Sequence, residues 1–595
     1  MRYVSEDWKA VHQKQLVNET YVEVSVSLGD PDALADASSV DNGAMFYSNT
    51  AQVVSEVDKN VVPYGTLEKN LWLLDGSRRF LPEFDYEDTG YVGDAVSGDN
   101  GEFATPPMVS IVFRKVHDPI IPGVSITWGE SYGEYAERFK VTAFNGLSVV
   151  AKKQIEGNSS VRSVIEMDVS GYDLITIEIQ KWCLPGRRAR VSEIFVGVDK
   201  LYTKSDITAL EHEREVDPIG ATTPVNKVSF KIDNSDNRYD PNNEEGLSKY
   251  LMARQEVRVR YGMKLDNGTI ERIPAGLFYL SEWEAPQNGL EASFVARDLM
   301  EFLRRNYTKG LYRAEGISLY DLAQEVLIDA DLPLGRDGNV KWIIDEGLKN
   351  VYTVAPLPLC SLAECLQYIA QAGCCVILSD RDGILRIEKV SGEISDYALT
   401  PTNMYSRPEI SLQKPLMGVT TRVYNYFVDE KDKELFSGKI TVSGEQTITV
   451  AYSSKAINAK ATVTSGTLKS AVYYTSACYL TIVGSGDVTV KIVGDILKTS
   501  DTEYMLNVGG EGETQMVENP LITSTSVAAA VSDWVRNWLS HRKVVSLEGW
   551  RADPRLDATD IVSAENKFST DVVRMTSVKY TFAGAFRGSG EGRVI

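Results

Sequence analysis

Between residues 223 and 305 the chain alternates apolar and polar residues in short runs separated by turn formers. A period of two over such runs is the mark of half-buried strands, so this stretch is committed to β structure. In 225–232, Val228, Phe230 and Ile232 share one face, while Lys227, Ser229 and Lys231 share the other. The run Asp233-Asn234-Ser235-Asp236-Asn237-Arg238-Tyr239-Asp240-Pro241 then breaks the strand, because Asn and Asp side chains cap nearby backbone in turns. Val257, Val259 and Tyr261 alternate with Arg258 and Arg260. Asp266-Asn267-Gly268 predicts a hairpin, since Asn-Gly tolerates positive φ. Two more strands are expected at 276–283 and 290–296, then a short amphipathic helix over 297–305.

At 595 residues the chain is long enough for several domains, each with its own core. A net charge of −21 argues against a nucleic-acid grip, which needs Lys and Arg to displace phosphate counterions. It suits a wall past which a phosphate backbone slides, or simply a soluble acidic protein. No cationic leader with an apolar core opens the chain, so no secretory signal is expected. No apolar run reaches the roughly 18 residues that a membrane span needs. Cys360, Cys365, Cys374 and Cys375 cluster, but without a Cys-x-x-Cys pair or a nearby His they predict buried packing and no metal site. Unpaired thiols fit assembly in a cytoplasm.

The first texture begins earlier, in a clean alternation at 21–28. From Gly29-Asp30-Pro31 to about Asp199 it gives way to short strands spaced by Gly, Asp and Pro, a β-sandwich signature. It resumes near Leu201, so 31–199 is expected to interrupt a barrel formed by 1–30 and 200–305. Ser318-x-x-Asp321 and Ser361-x-x-Glu364 are capping boxes that start two helices of an α+β unit over 306–400. A second barrel is expected from 401–437 and 510–595, including a helix over 526–541 and strands at 544–550, 560–562 and 572–582. The Thr/Ser/Val-rich stretch 438–509 is read as a small β insertion, and the tail 588–592 as flexible. The fold class is therefore mainly β with an α+β part.

In its order of elements and its turn residues, 223–305 resembles the barrel of bacteriophage tail hub proteins, which sit at the tail tip. The strands at 108–113, 123–128, 139–146 and 173–181, with the ending Trp182-Cys183-Leu184-Pro185-Gly186-Arg187-Arg188-Ala189-Arg190-Val191-Ser192-Glu193-Ile194-Phe195-Val196-Gly197, resemble galactose-binding-like (discoidin-type) sandwiches. The hub resemblance implies a virion structural protein, a homotrimer whose two barrels per subunit present six similar faces to a sixfold tube. It further implies as partners a distal tail protein or tube ring, the tape measure protein and tip or receptor-binding proteins, with phage DNA only in passage.

No catalytic constellation and no cofactor fingerprint stands out. Gly129-Glu130-Ser131-Tyr132-Gly133 matches G-x-S-x-G, but a nucleophile elbow needs a helix next, and a strand is expected instead. Counted from Asp233, the loop 233–244 places Ser235 and Asn237 at calcium-ligand positions and Glu244 twelfth, yet Arg238 stands where the sharp turn needs Gly. Near strand ends of the sandwich, Trp128, Tyr132, Tyr135, Trp182, Arg187 and Arg188 are candidates for carbohydrate binding, because rings stack on sugars and Arg donates to hydroxyls. Host cell-wall carbohydrate would be the ligand. Two other readings remain: a free carbohydrate-binding adhesin, and a cell-wall glycoside hydrolase using paired carboxylates.

Overall fold

A computed structural model describes residues 3–14, 19–54, 64–66, 68, 79–80, 89–286, 289–334, 339–390 and 394–595. Parts of the N-terminal barrel segment and of the expected sandwich, including 55–63 and 81–88, lie outside the described residues. The expectation of a mainly β chain with an α+β part is met.

The dominant element is a sheet of thirteen strands. In chain order these are β1 (Thr20–Gly29), β2 (Gly197–Thr203), β3 (Ile207–Glu215), β4 (Val225–Asp233), β5 (Glu256–Lys264), β6 (Ile270–Glu284), β7 (Glu291–Arg297), β8 (Ile394–Leu399), β9 (Glu409–Leu412), β10 (Lys543–Trp550), β11 (Ile561–Glu565), β12 (Thr570–Phe582) and β13 (Phe586–Val594). The spatial order is β2-β1-β5-β6-β7-β4-β3-β12-β13-β10-β9, with β11 branching from β12 and β8 paired with β11. Seven strands from the N-terminal half thus meet six from the C-terminal end at one seam, where β3 pairs antiparallel with β12 from Leu210↔Phe582 to Glu215↔Ser577. One core runs under both halves, from Val22, Val24 and Val228 to Trp550, Val573 and Phe586. Its apolar residues follow the period-two alternation, since only one face of each strand points inward.

Between β1 and β2 a separate body is inserted. Its five-stranded sheet is ordered Ser38–Asn42, Met108–His117, Tyr172–Trp182, Ala136–Asn145, Ser148–Ile155; a three-stranded sheet of Arg162–Val169, Ile121–Thr127 and Glu193–Phe195 accompanies it. The two share a core of their own. The neck is a pair of glycines facing each other across the ladder, Gly29↔Gly197. Gly197 has φ +150°, and a Cβ on it would sit 2.6 Å from the Leu28 carbonyl oxygen; one on Gly29 would sit 2.8 Å from that of Val196. Only glycine lets the two chains cross so closely.

The helices α1 (Leu319–Ala330) and α2 (Leu362–Ala372) start at the expected caps, Ser318 and Ser361. They pack with a small sheet of Trp342–Ile344, Leu385–Glu388 and Val376–Ser379. The strand Leu416–Val428 and the helix α3 (Thr525–Ser540) join this same core, where the Thr421 and Ser532 hydroxyls lie 2.7 Å apart. Strands Lys433–Ala451, Ala456–Thr464 and Thr467–Tyr473 wrap the start of Ala477–Asn507 around a further small core.

Two local expectations are corrected. The helix after β7 is a single 3-10 turn, Leu299–Leu303, started by Asp298, whose carboxylate accepts from the Met300 N–H at 2.9 Å. The glycine-rich tail 588–592 is the middle of β13, paired with β10 and β12. Its glycines answer a packing demand: a Cβ on Gly588 would lie 2.5 Å from the Trp550 ring, and one on Gly590 2.3 Å from the Ser577 oxygen.

Candidate functional site

One end of the inserted sandwich gathers most of the polar and aromatic residues singled out in the sequence. The turn Glu130–Tyr132, the strand Arg188–Val191 and its partner Tyr91–Val96 meet there. Trp128 and Trp182 are wholly buried, with ring centroids 6.1 Å apart and edge to face. Their indole N–H groups donate inward, Trp128 to the Ser163 hydroxyl at 2.8 Å and Trp182 to Glu134 at 2.9 Å. Neither ring presents a face to solvent, so the stacking role expected of them does not fit their placement. A large ring ending a strand is as well used by the core as by a ligand.

Arg187 is buried, and its Nε lies 2.9 Å from Glu134 Oε1. Arg190 pairs with Glu68, whose Oε1 also accepts the Arg188 backbone N–H at 2.7 Å. Burial would raise the Glu68 carboxyl, but the Arg190 guanidinium holds it below the usual carboxylate range. Arg190 also covers the half-buried Tyr132 ring, 4.7 Å from its centroid. These charges form a paired internal network, which gives this end a fixed shape. Arg188 is only half-buried and its guanidinium donates to the Gly93 and Asp94 carbonyls. Tyr135 is half-buried against the sandwich core.

Residues outside the expected set complete this end. Glu68, Glu134 and Arg190 carry the network, and Phe46, 76% exposed, stands beside Tyr47 with ring centroids 5.2 Å apart. Tyr47 in turn packs with Val92, Met45 and Tyr132. An exposed Phe in a loop has no periodicity, so it carried no signal in the sequence.

The other sequence motifs resolve into local structure. Ser131 lies in a 3-10 turn that leads to the strand Ala136–Asn145. The loop after β4 is a chain of side-chain-capped turns: Asp233 accepts from the Ser235 N–H at 2.9 Å, Asn234 from Tyr239 at 3.0 Å and Asp240 from Asn242 at 2.8 Å. Among the described residues no three His, Cys, Asp or Glu side chains gather as a metal site. Among the same residues no helix is long and apolar enough to cross a membrane.

No family model matches the chain, and no curated protein matches it. The solved structures that the chain matches include the tail protein from Neisseria meningitidis MC58, 8% identical, covering 67% of this chain and 94% of that one with a TM-score of 0.37. The prophage MuSo2 43 kDa tail protein from Shewanella oneidensis is 12% identical, covering 66% and 95% with a TM-score of 0.36. The lectin domain of lectinolysin, solved with Lewis B antigen, is 11% identical, covering 28% of this chain and 97% of that one with a TM-score of 0.19.

Proposed function

We propose that this chain is a structural subunit of a phage tail, a hub at its distal end that joins the tube to the host-facing tip as a homotrimer. The observation that carries this reading is the seam between β3 and β12, which lays seven N-terminal strands edge to edge with six C-terminal ones over a single core. Two comparable β bodies fused side by side are what a threefold subunit needs to meet a sixfold ring of tube or distal tail proteins. The outer edge supports contact with a neighbour: all four residues of β9 are exposed, with Ile410 at 45% and Leu412 at 65%, on a strand edge that no other strand pairs among the described residues. The tape measure and tip proteins would then lie along the axis, with DNA passing an acidic wall.

The purified chain is expected to sediment at three times its 65.9 kDa mass and to sit as a threefold ring at the tail end in particle images. A strictly monomeric chain absent from the tail would overturn the reading.

The sandwich end formed by Phe46, Tyr132 and Arg188 is the place for host-surface carbohydrate in this reading. Phe46→Ala and Arg188→Ala are each expected to weaken adsorption to host cell wall about tenfold while leaving particle assembly intact. Unchanged adsorption in both variants would remove the sugar site and leave the hub standing. Trp128→Ala is no test of binding, because its ring is part of the core.

A further inference from the structure

The start of α2 carries a contact between two thiols that no role above uses. Ser361 caps the helix: its hydroxyl accepts from the Glu364 N–H at 3.2 Å, and Glu364 accepts the Ser361 N–H at 2.9 Å. In that frame Cys360 occupies the position before the cap and Cys365 the fourth helical position. Side chains at those two positions pack together and set the angle at which the chain enters the helix, usually as an apolar staple. Here both are cysteines, and their sulfurs lie 3.5 Å apart.

The backbone on both sides is held. Tyr307 N–H donates to the Cys360 carbonyl at 2.8 Å, Leu362 N–H to Arg305 at 3.0 Å, and Cys365 N–H to Ser361 at 2.9 Å. Cys360 is half-buried and Cys365 fully buried, so a reagent from solvent reaches the first sulfur before the second. A disulfide would shorten this sulfur separation from 3.5 Å to about 2.05 Å.

We propose that Cys360 and Cys365 are an oxidisable staple, a modification site that closes to a disulfide when the protein meets a low-molecular-weight disulfide. Cys360 gives its proton to solvent and its thiolate attacks one sulfur of the oxidant. The oxidant's S–S bond breaks and its first thiol leaves with a proton. Cys365 then loses its proton and attacks Cys360 Sγ in the mixed disulfide, expelling the second thiol. Two protein thiols are oxidised to one disulfide, and one small disulfide is reduced to two thiols. The ionisation order fits these roles: the hydrogen bond from Cys365 lowers the Cys360 thiol, while the same bond and burial push Cys365 far up. The inference stands on this contact and not on the tail reading. If the tail reading holds, closure would follow release from a reducing cytoplasm.

The full chain is incubated with oxidised glutathione, free thiols are alkylated, and the protein is cut with chymotrypsin, which cleaves after Leu362 between the two cysteines. A pair of peptides joined through Cys360 and Cys365, separating only on reduction, is expected, with alkylation of Cys360 lowered about tenfold. Cys183, Cys374, Cys375 and Cys478 should stay alkylatable once the protein is denatured. In Cys365→Ser, Cys360 should stop at the mixed disulfide with glutathione, and in Cys360→Ser no adduct should form at Cys365. Full alkylation of both residues in the oxidised wild-type chain overturns the proposal, as does a mixed disulfide at Cys360 that never resolves while Cys365 is present. Far-UV circular dichroism identical to wild type shows that the variants report on chemistry and not on folding.

Discussion

Arg381→Ala is expected to lower the unfolding free energy by about 3–5 kcal/mol, because it removes a buried guanidinium whose charge-assisted contacts to one carboxylate and two carbonyls tie together three parts of the chain. Arg381 sits in the turn between Val376–Ser379 and Leu385–Glu388 and is almost wholly buried. Its Nε lies 3.2 Å from Asp557, and its other nitrogens donate to the carbonyls of Pro554 and Leu556. Asp557 also receives Arg214 of β3, whose Nη2 donates to the Ser379 carbonyl at 2.7 Å. One carboxylate thus ties the N-terminal sheet half, the α+β unit and the C-terminal loop. Arg381→Lys keeps the charge but loses the planar fork, so it should recover only part of the loss. Equilibrium urea unfolding followed by circular dichroism measures each step.

A double variant makes the test sharper. Asp557→Ala alone leaves two guanidinium groups facing each other without an anion, so adding Arg381→Ala should cost less than the two single changes summed. The pH dependence follows with a definite sign. Burial would raise the Asp557 carboxyl, but Arg214 and Arg381 hold it below its ordinary value of 3.8. A depressed carboxylate contributes stability that is fully present above the unfolded value and is lost as pH falls through the folded one. The wild type should therefore lose this part of its stability only below about pH 4, while Asp557→Asn should lack that acid-side slope. Additive costs and an unchanged acid limb would show that the three groups do not act together.

Arg381 also shows where the sequence stops being readable. The triplet Arg381-Asp382-Gly383 announces a turn, and a turn is found, but nothing local says that this Arg side chain goes inward to meet a residue 176 positions away. Alternation gave the strands β1, β4, β5 and β7 because one-sided burial writes period two directly into the chain. The caps at Ser318 and Ser361 were legible for the same reason, being local chemistry between neighbours. The seam between β3 and β12 was not, since pairing across most of the chain leaves no trace in either strand. At the sandwich end, ring and guanidinium residues were found by type and place, while their direction was not. Trp128 and Trp182 turn inward to Ser163 and Glu134, and the exposed ring at that end belongs to Phe46. The tail glycines misled because a run of Gly reads as freedom unless the ring it must pass is known.

That ring is Trp550, and the second large effect is expected there. Trp550→Ala should cost about 3–5 kcal/mol, since a fully buried indole leaves a cavity that β10 and β13 cannot close. Gly588→Ala attacks the same contact from the other side: the new Cβ would lie 2.5 to 2.9 Å from three ring atoms, an overpacking worth about 1–3 kcal/mol. Trp550 and Gly588 are cross-strand partners in the β10–β13 ladder, so the ring cannot slide away without breaking register. Combining Gly588→Ala with Trp550→Phe frees the volume that the methyl needs. The pair should be more stable than the sum of its parts by about 0.5–3 kcal/mol, read from thermal or urea unfolding. Strict additivity would mean that the glycine is there for its backbone and not for the ring. Gly590 supplies the control: its would-be Cβ meets the Ser577 backbone oxygen at 2.3 Å, so Gly590→Ala should stay costly whatever residue stands at 550.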